Sequence, residues 1–209
     1  MTMIRVITIA REYGSGGGLI GRELASRLGW KLLDRELITE LAQRAHLAPS
    51  DVARLDEHPR PFIAQLMKAF WRGNFETWSA PPPTDVVDED YMAELSAMVI
   101  KEAAGLGHCV IVGRGAQCVL REKGAFNVFV YGSTEEKLKR LQHRYSSLRD
   151  AQVAIEEMDR VRAAYIRTYY HCGWDDRHLY HLMINSDVGV DRAVDAILCT
   201  AGLSQHEKH

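Results

Sequence analysis

The chain has 209 residues, of which 46% are hydrophobic and 26% charged, with a formal net charge of −2. These proportions belong to a globular protein and exclude a disordered chain, a collagen and a coiled-coil rod. The near-neutral balance provides no basic field for a nucleic-acid polymer, and no apolar run approaches the roughly 18 residues of a membrane span. Four scattered cysteines, Cys109, Cys118, Cys172 and Cys199, form no CxxC. With an N-terminus that shows no secretory leader, they imply reduced thiols and a cytoplasmic protein.

Residues 3–9 (MIRVITI) are apolar on both parities, as in a strand buried on both faces of a parallel sheet. A glycine-rich turn follows. Ile20, Leu24 and Leu28 then recur at a spacing of four, which puts them on one helix face, and Gly29 closes that helix. Residues 30–33 predict a second strand. Asp34 predicts the cap of a helix carrying Leu37, Ile38, Leu41 and Ala45. Residues 59–90 are less regular and include three successive prolines, 81–83; a helix is expected over about 89–105.

Regularity then returns. Residues 109–112 read as a buried strand leading into Gly113-Arg114-Gly115 and a short helix. A strand is expected over 126–131, and Ser133 to Glu136 form a capping box that opens a charged helix. A long helix over about 150–170, a strand over 179–184 and a helix over 190–201 complete the chain. Strands alternating with helices predict an α/β fold, a parallel sheet with helices on both faces.

The glycine-rich turn, with five glycines among residues 14–21, follows a strand and opens a helix. Amide groups at such a junction form an anion site, and glycines let a phosphate approach the backbone. Two motifs compete for it. Residues 16–21 match GxGxxG, and Asp34 lies near the place of a ribose-binding acid, so a nicotinamide-dependent oxidoreductase is one reading. However, six residues separate Ile9 from Gly16, and no strand is evident between 35 and 105; that spacing suits a longer phosphate-cradling loop. Aligned as a P-loop, the chain has Gly17 where lysine belongs and Gly18 where the metal-binding hydroxyl belongs. A purely structural glycine turn is the third reading.

Five stretches together resemble the cytidylate kinase-like proteins, relatives of the nucleoside monophosphate kinases. They are IAREYGSGGGLIGRELASRLG (9–29), LLDRELI (32–38), IVGRGAQCVL (111–120), NVFVYGSTEEKLKRL (127–141) and the stretch 158–197 beginning MDRVRAAYIR. The resemblance implies a P-loop kinase fold with a five-stranded parallel core over 1–46 and 105–209. It also implies a helical acceptor-binding insertion over about 47–104 and a lid over about 143–176. It implies ATP and Mg²⁺ as cofactors, a small nucleotide as partner, and CMP or dCMP as first candidate for the acceptor. Oligomeric state is unspecified, with a homodimer possible.

Phosphoryl transfer asks mainly for alignment and charge neutralisation. By resemblance, Gly14, Ser15, Gly16, Gly17 and Gly18, with Arg140 and Arg144, would hold ATP. Arg160, Arg162 and Arg167 would serve the transferring phosphate, with Arg11 replacing the missing lysine. Asp34, Arg35 and Arg114 would hold the acceptor. Ser15 and Asp34 are the candidate anchors for Mg²⁺. Ordinary readings stand beside these. Arg160 and Glu156 are spaced for a helix-surface ion pair, and Asp34 for a simple cap. Tyr165, Tyr169, Tyr170 and Trp174 read as packing. Phe62, Leu66, Phe70, Trp71 and Trp78 read as core or oligomer contact, or as a wall for an acceptor base. The spacing of His171, Cys172, His178 and His181 is not that of a standard zinc site. A catalytically weak nucleotide sensor, or a kinase of another small phosphorylated metabolite, are the remaining alternatives.

Overall fold

In the computed structural model, residues 3–46, 60–72 and 89–204 are described. In chain order these form β1 (Val6–Arg11), α1 (Gly17–Leu28), β2 (Lys31–Leu33), α2 (Arg35–His46), α3 (Arg60–Arg72) and α4 (Glu89–Leu106). Next come β3 (Cys109–Val112), α5 (Ala116–Val119), β4 (Phe126–Tyr131), α6 (Thr134–Leu141), α7 (Leu148–Tyr170), β5 (Leu182–Asn185) and α8 (Val190–Thr200). The five strands make one parallel sheet in the order β2-β3-β1-β4-β5, the expected α/β architecture.

The sheet is covered on both faces because its central strands carry apolar side chains on both sides, with buried Thr8 of β1 and Asn127 of β4 the polar exceptions before the strand ends. Leu33 and Ile111 point to one side with Ile38, Leu41, Ile63, Met67, Leu95 and Ile100 of the helices α2, α3 and α4. Ile7, Ile9, Val110 and Val128 point to the other with Ile20 and Leu24 of α1 and Val194 and Ile197 of α8. From α3, Ile63 and Met67 are buried in this core, and Phe70 and Trp71 pack partly buried against it. The side chains of Ala45, Phe62 and Leu66, and the whole of Trp78, fall outside the described residues.

Two boundaries differ from the sequence expectation. The first strand runs to Arg11 rather than stopping at Ile9, because Ala10 and Arg11 continue the pairing with Phe129 and Val130 of β4. The last strand begins at Leu182 rather than 179. Leu179 lies instead in a 3₁₀ turn capped by Asp176, which accepts from the His178 N–H at 3.0 Å. That turn is tied to the sheet by buried Asn127, whose amide donates to the Leu179 carbonyl at 3.1 Å while its Oδ1 accepts from Thr8 at 2.7 Å. Helix α7 starts at Leu148 because the Ser147 hydroxyl accepts from the Asp150 N–H at 3.1 Å.

Candidate functional site

Two groups of polar atoms gather beyond the carboxyl ends of the strands, where open α/β sheets bind ligands. The first is the glycine turn. Gly16 takes a left-handed conformation, φ +78°, and caps α1, whose Leu19 and Ile20 amides donate to its carbonyl at 2.9 and 3.1 Å. The amides of Gly14, Gly16, Gly17 and Gly18 donate to no protein group among the described residues. Four unspent donors at one helix start make an anion cradle.

A cation stands beside that cradle. Arg140 of α6 donates from Nη1 to the Gly14 carbonyl at 3.3 Å and to the Ser186 hydroxyl at 3.1 Å, and from Nη2 to the Ser186 carbonyl at 3.2 Å. Its Nε lies 3.8 Å from where a side chain on Gly16 would begin. Arg144 is exposed on the following turn.

The second group is a pocket between the ends of β1 and β3 and the inner face of α7. It is lined by Ala10, Arg11, Arg35, Gly113, Arg114, Gly115, Gln117, Val161, Arg162, Tyr165, Ile166 and Trp174. Four of these twelve are arginines and none is a carboxylate, a histidine or a lysine. A chain of net charge −2 has therefore concentrated cations in one cavity.

Each arginine is placed by a different device. Arg11 ends β1; its stem packs over Gly17, where an added Cβ would lie 2.6 Å from the Arg11 Cβ. Its guanidinium lies on Gly113, whose φ is +89°, and an added Cβ there would collide with Nη1. Arg11 makes no side-chain hydrogen bond or ion pair among the described residues. Burial first, and then the neighbouring Arg162 cation, lowers its pKa to about 10.

Arg162 of α7 donates from Nη1 to the Arg11 carbonyl at 2.9 Å and pairs with Asp159 at 3.3 Å. Burial lowers its pKa below the usual guanidinium range. Arg114, left-handed at φ +51°, donates to the Thr39 hydroxyl at 2.7 Å. Its buried Nε has no hydrogen-bond partner among the described residues, a cost that a ligand acceptor would relieve. Arg35 opens α2 at the exposed rim.

Beneath the glycine turn lies an ion-pair network formed by residues not singled out in the sequence. Lys137 of α6 is buried and its Nζ is 2.6 Å from Glu12 and 3.8 Å from Asp159. Asp159 also accepts from the Tyr13 N–H at 2.6 Å. Burial raises the Asp159 pKa. The network fastens α6 and α7 to the segment between β1 and the glycines. A lysine in a charged helix looks solvent-facing in sequence, so only the fold identifies it.

The remaining candidates are placed as follows. Arg160 is exposed and pairs with Glu157 at 3.7 Å rather than with Glu156. Arg167 is exposed on α7. Asp34 caps α2, accepting from the Leu37 N–H at 2.9 Å. Ser15 is fully buried and donates to the Glu12 carbonyl at 2.8 Å. Arg11 and Arg162 are thus brought together with Arg35 and Arg114, while Arg160 and Arg167 are not. Gly113 and Gly115 lie against the Arg11 guanidinium and the Tyr170 ring, so they seat side chains. Tyr165 and Trp174, read as packing residues, also line the cavity. His181 accepts from the Asn127 N–H at 2.9 Å.

The donor set does not fit a protein-held Mg²⁺. The Ser15 hydroxyl is buried and committed, Asp34 is engaged as a cap, and Val112 ends β3 where an acid is absent. Mg²⁺ binds oxygen ligands and can rest largely on substrate phosphates. The cradle does fit a nucleotide's phosphates, with the four amides and Arg140 as holders.

The model of the cytidylate kinase-like family matches residues 6–188. A crystal structure of an uncharacterized protein from Eubacterium ventriosum is similar with a TM-score of 0.70 and 24% identity, over 97% of this chain and 100% of that one. A shikimate kinase from Bacteroides thetaiotaomicron has a TM-score of 0.53 and 14% identity, over 97% and 100%. One from Acinetobacter baumannii, in complex with shikimate, has 0.50 and 16%, over 93% and 91%. At these identities the likeness is one of fold. No curated protein matches the sequence. No helix among the described residues is long and apolar enough to cross a membrane.

Proposed function

The chain belongs to the cytidylate kinase-like family, and from that premise we propose that it transfers a phosphoryl group from ATP to a small acceptor that is itself a phosphate ester. CMP and dCMP are the first candidates, by family name alone. The glycine cradle and Arg140 hold the donor's phosphates, and Mg²⁺ would have to arrive with those phosphates rather than on protein ligands. The arginine pocket holds the acceptor, and α7 acts as the lid.

One observation carries this reading: the pocket offers four guanidiniums and no residue able to take a proton near neutral pH. An alcohol acceptor needs a general base to remove its proton as it attacks. A phosphate monoester attacks through an oxygen that is already ionised. The site therefore favours an acceptor whose charge is fixed before reaction. Arg11 and Arg162, both burdened by burial, gain a counter-charge when the acceptor's phosphate arrives. Arg114 contributes its unpartnered Nε.

A coupled assay with ATP across CMP, dCMP, UMP, AMP and GMP, with shikimate and a hexose beside them, tests the reading. Turnover confined to the phosphorylated acceptors is expected. Turnover with shikimate or the hexose alone contradicts it. A second reading has its own support. Gly17 has no lysine, and the stem of Arg11 occupies the space that a side chain there would need. With Ser15 and Asp34 committed elsewhere, a nucleotide sensor that binds without turnover fits the same geometry. Nucleotide binding in calorimetry with no product for any acceptor identifies it.

A further inference from the structure

Two sulfurs unused by the proposed chemistry stand together at the edge of the pocket. Cys118 lies in α5, just past Gly115, and Cys172 follows His171, the left-handed residue that ends α7. Their Sγ atoms are 3.6 Å apart although 54 positions separate them in the chain. The other two cysteines are placed differently: Cys109 is buried in β3 and Cys199 is exposed on α8.

We propose that Cys118 and Cys172 are an intramolecular redox-modification site, oxidised by small-molecule disulfides to a cystine that staples α5 to the end of α7. This inference does not rest on the kinase reading. A disulfide needs its sulfurs about 2.05 Å apart, so the pair closes a gap of about 1.6 Å. Both sides are already held in register without a bond. The Tyr170 ring lies over Gly115 and its hydroxyl donates to the Arg114 carbonyl at 3.3 Å. Beyond Cys172, Trp174 packs edge-on against Phe129, and its carbonyl accepts from the Tyr180 hydroxyl at 2.5 Å. Preorganisation of this kind makes the second thiol's attack effectively unimolecular.

The chemistry is thiol–disulfide exchange. The Cys172 thiolate attacks one sulfur of glutathione disulfide and expels a glutathione thiolate. The Cys118 thiolate then attacks the Cys172 sulfur of the mixed disulfide and expels the second. The two protein thiols lose two protons and two electrons, and the glutathione disulfide takes them up as two thiols. Burial, and then the contact with Cys172, pushes the Cys118 thiol up to about 12. Its thiolate is therefore scarce at neutral pH and the closing step is slow.

The consequence follows from what the two elements carry. Helix α7 presents Arg162, Tyr165 and Ile166 to the pocket, and the loop before α5 presents Arg114. A bond between them holds the pocket's two walls together.

The test uses the full chain with Cys199→Ser, which removes the exposed competitor. It is incubated in native buffer with glutathione disulfide, acid-quenched and mapped by peptide mass spectrometry, with amide exchange followed in parallel. The expected result is a Cys118–Cys172 cross-linked peptide, reversed by dithiothreitol, and exchange over residues 170–176 slowed by about tenfold in the oxidised form. With Cys118→Ser added, Cys172 should stop at the mixed disulfide. Recovery of glutathionylated Cys172 with no cross-link in the parent overturns the pairing. A cross-link with unchanged exchange overturns the staple.

Discussion

The glycine cradle and the arginine pocket bind the same kind of charge by opposite means. The cradle spends neutral backbone: four amides and a left-handed Gly16, with one borrowed cation, Arg140. The pocket spends side chains: Arg11, Arg35, Arg114 and Arg162 from four distant parts of the chain, with no acid in the lining. Amides cost little when empty, because they are uncharged. Like-charged guanidiniums held together and partly buried oppose folding until an anion arrives. Stability and function therefore conflict at the pocket, and hardly at the cradle.

Gly113→Ala should have the most severe effect on the pocket. The new Cβ collides with the Arg11 guanidinium, and φ +89° strains any side chain. Backbone strain of about 1–3 kcal/mol should appear as a lower urea midpoint. Displacing Arg11 should also weaken binding of a phosphorylated acceptor, by about 2–3 kcal/mol or roughly 100-fold. Unchanged affinity would show that Arg11 is not a pocket ligand.

Arg11→Met separates the two quantities. It should lose comparable affinity while leaving the empty protein as stable as the parent or more so, because a buried, unpaired cation is removed. A clear fall in thermal midpoint without ligand would contradict the cost assigned to the pocket. Gly17→Lys probes the cradle. The side chain would have to displace the Arg11 stem, so it should lower stability by about 1–3 kcal/mol and not raise turnover. Increased turnover would mean that the cradle accepts a lysine.

The smallest effect concerns the network that joins the two sites. Burial raises the Asp159 pKa above its ordinary 3.8. Between 3.8 and that raised value the unfolded chain releases the proton first, so the residue's contribution to stability falls as pH rises, and the cost persists above the window. Asp159→Asn keeps an oxygen for the Tyr13 N–H and removes the titration. Urea midpoints should show the parent losing ground to the variant as pH rises above 3.8. The parent gaining on the variant would reverse the sign.

These predictions divide along a line that was partly visible in the sequence. The strands and helices were legible because β1, β3 and β4 are short stretches with apolar residues on both parities and the apolar positions of α1 recur at helical spacing. The glycine turn was legible because its residues are contiguous. Arg11, Arg35, Arg114 and Arg162 were each picked out, but not their grouping. Nor was the placement of the Arg11 guanidinium against Gly113 legible, because β1 runs two residues beyond the end expected at Ile9 and fixes the direction of that side chain. Arg160 and Arg162 are two residues apart on one helix and therefore face different ways. Lys137 and Glu12 left no signal at all, since their burial depends on contacts made more than a hundred residues apart in the chain.

The proposed activity depends on the arginine pocket recognising a phosphate ester. Calorimetric titration of the five nucleoside monophosphates, each against its parent nucleoside, tests this most directly. At least one monophosphate should give saturable heat that Arg162→Met abolishes, and no nucleoside should bind. A nucleoside binding as tightly as its monophosphate, in parent and variant alike, would contradict the account.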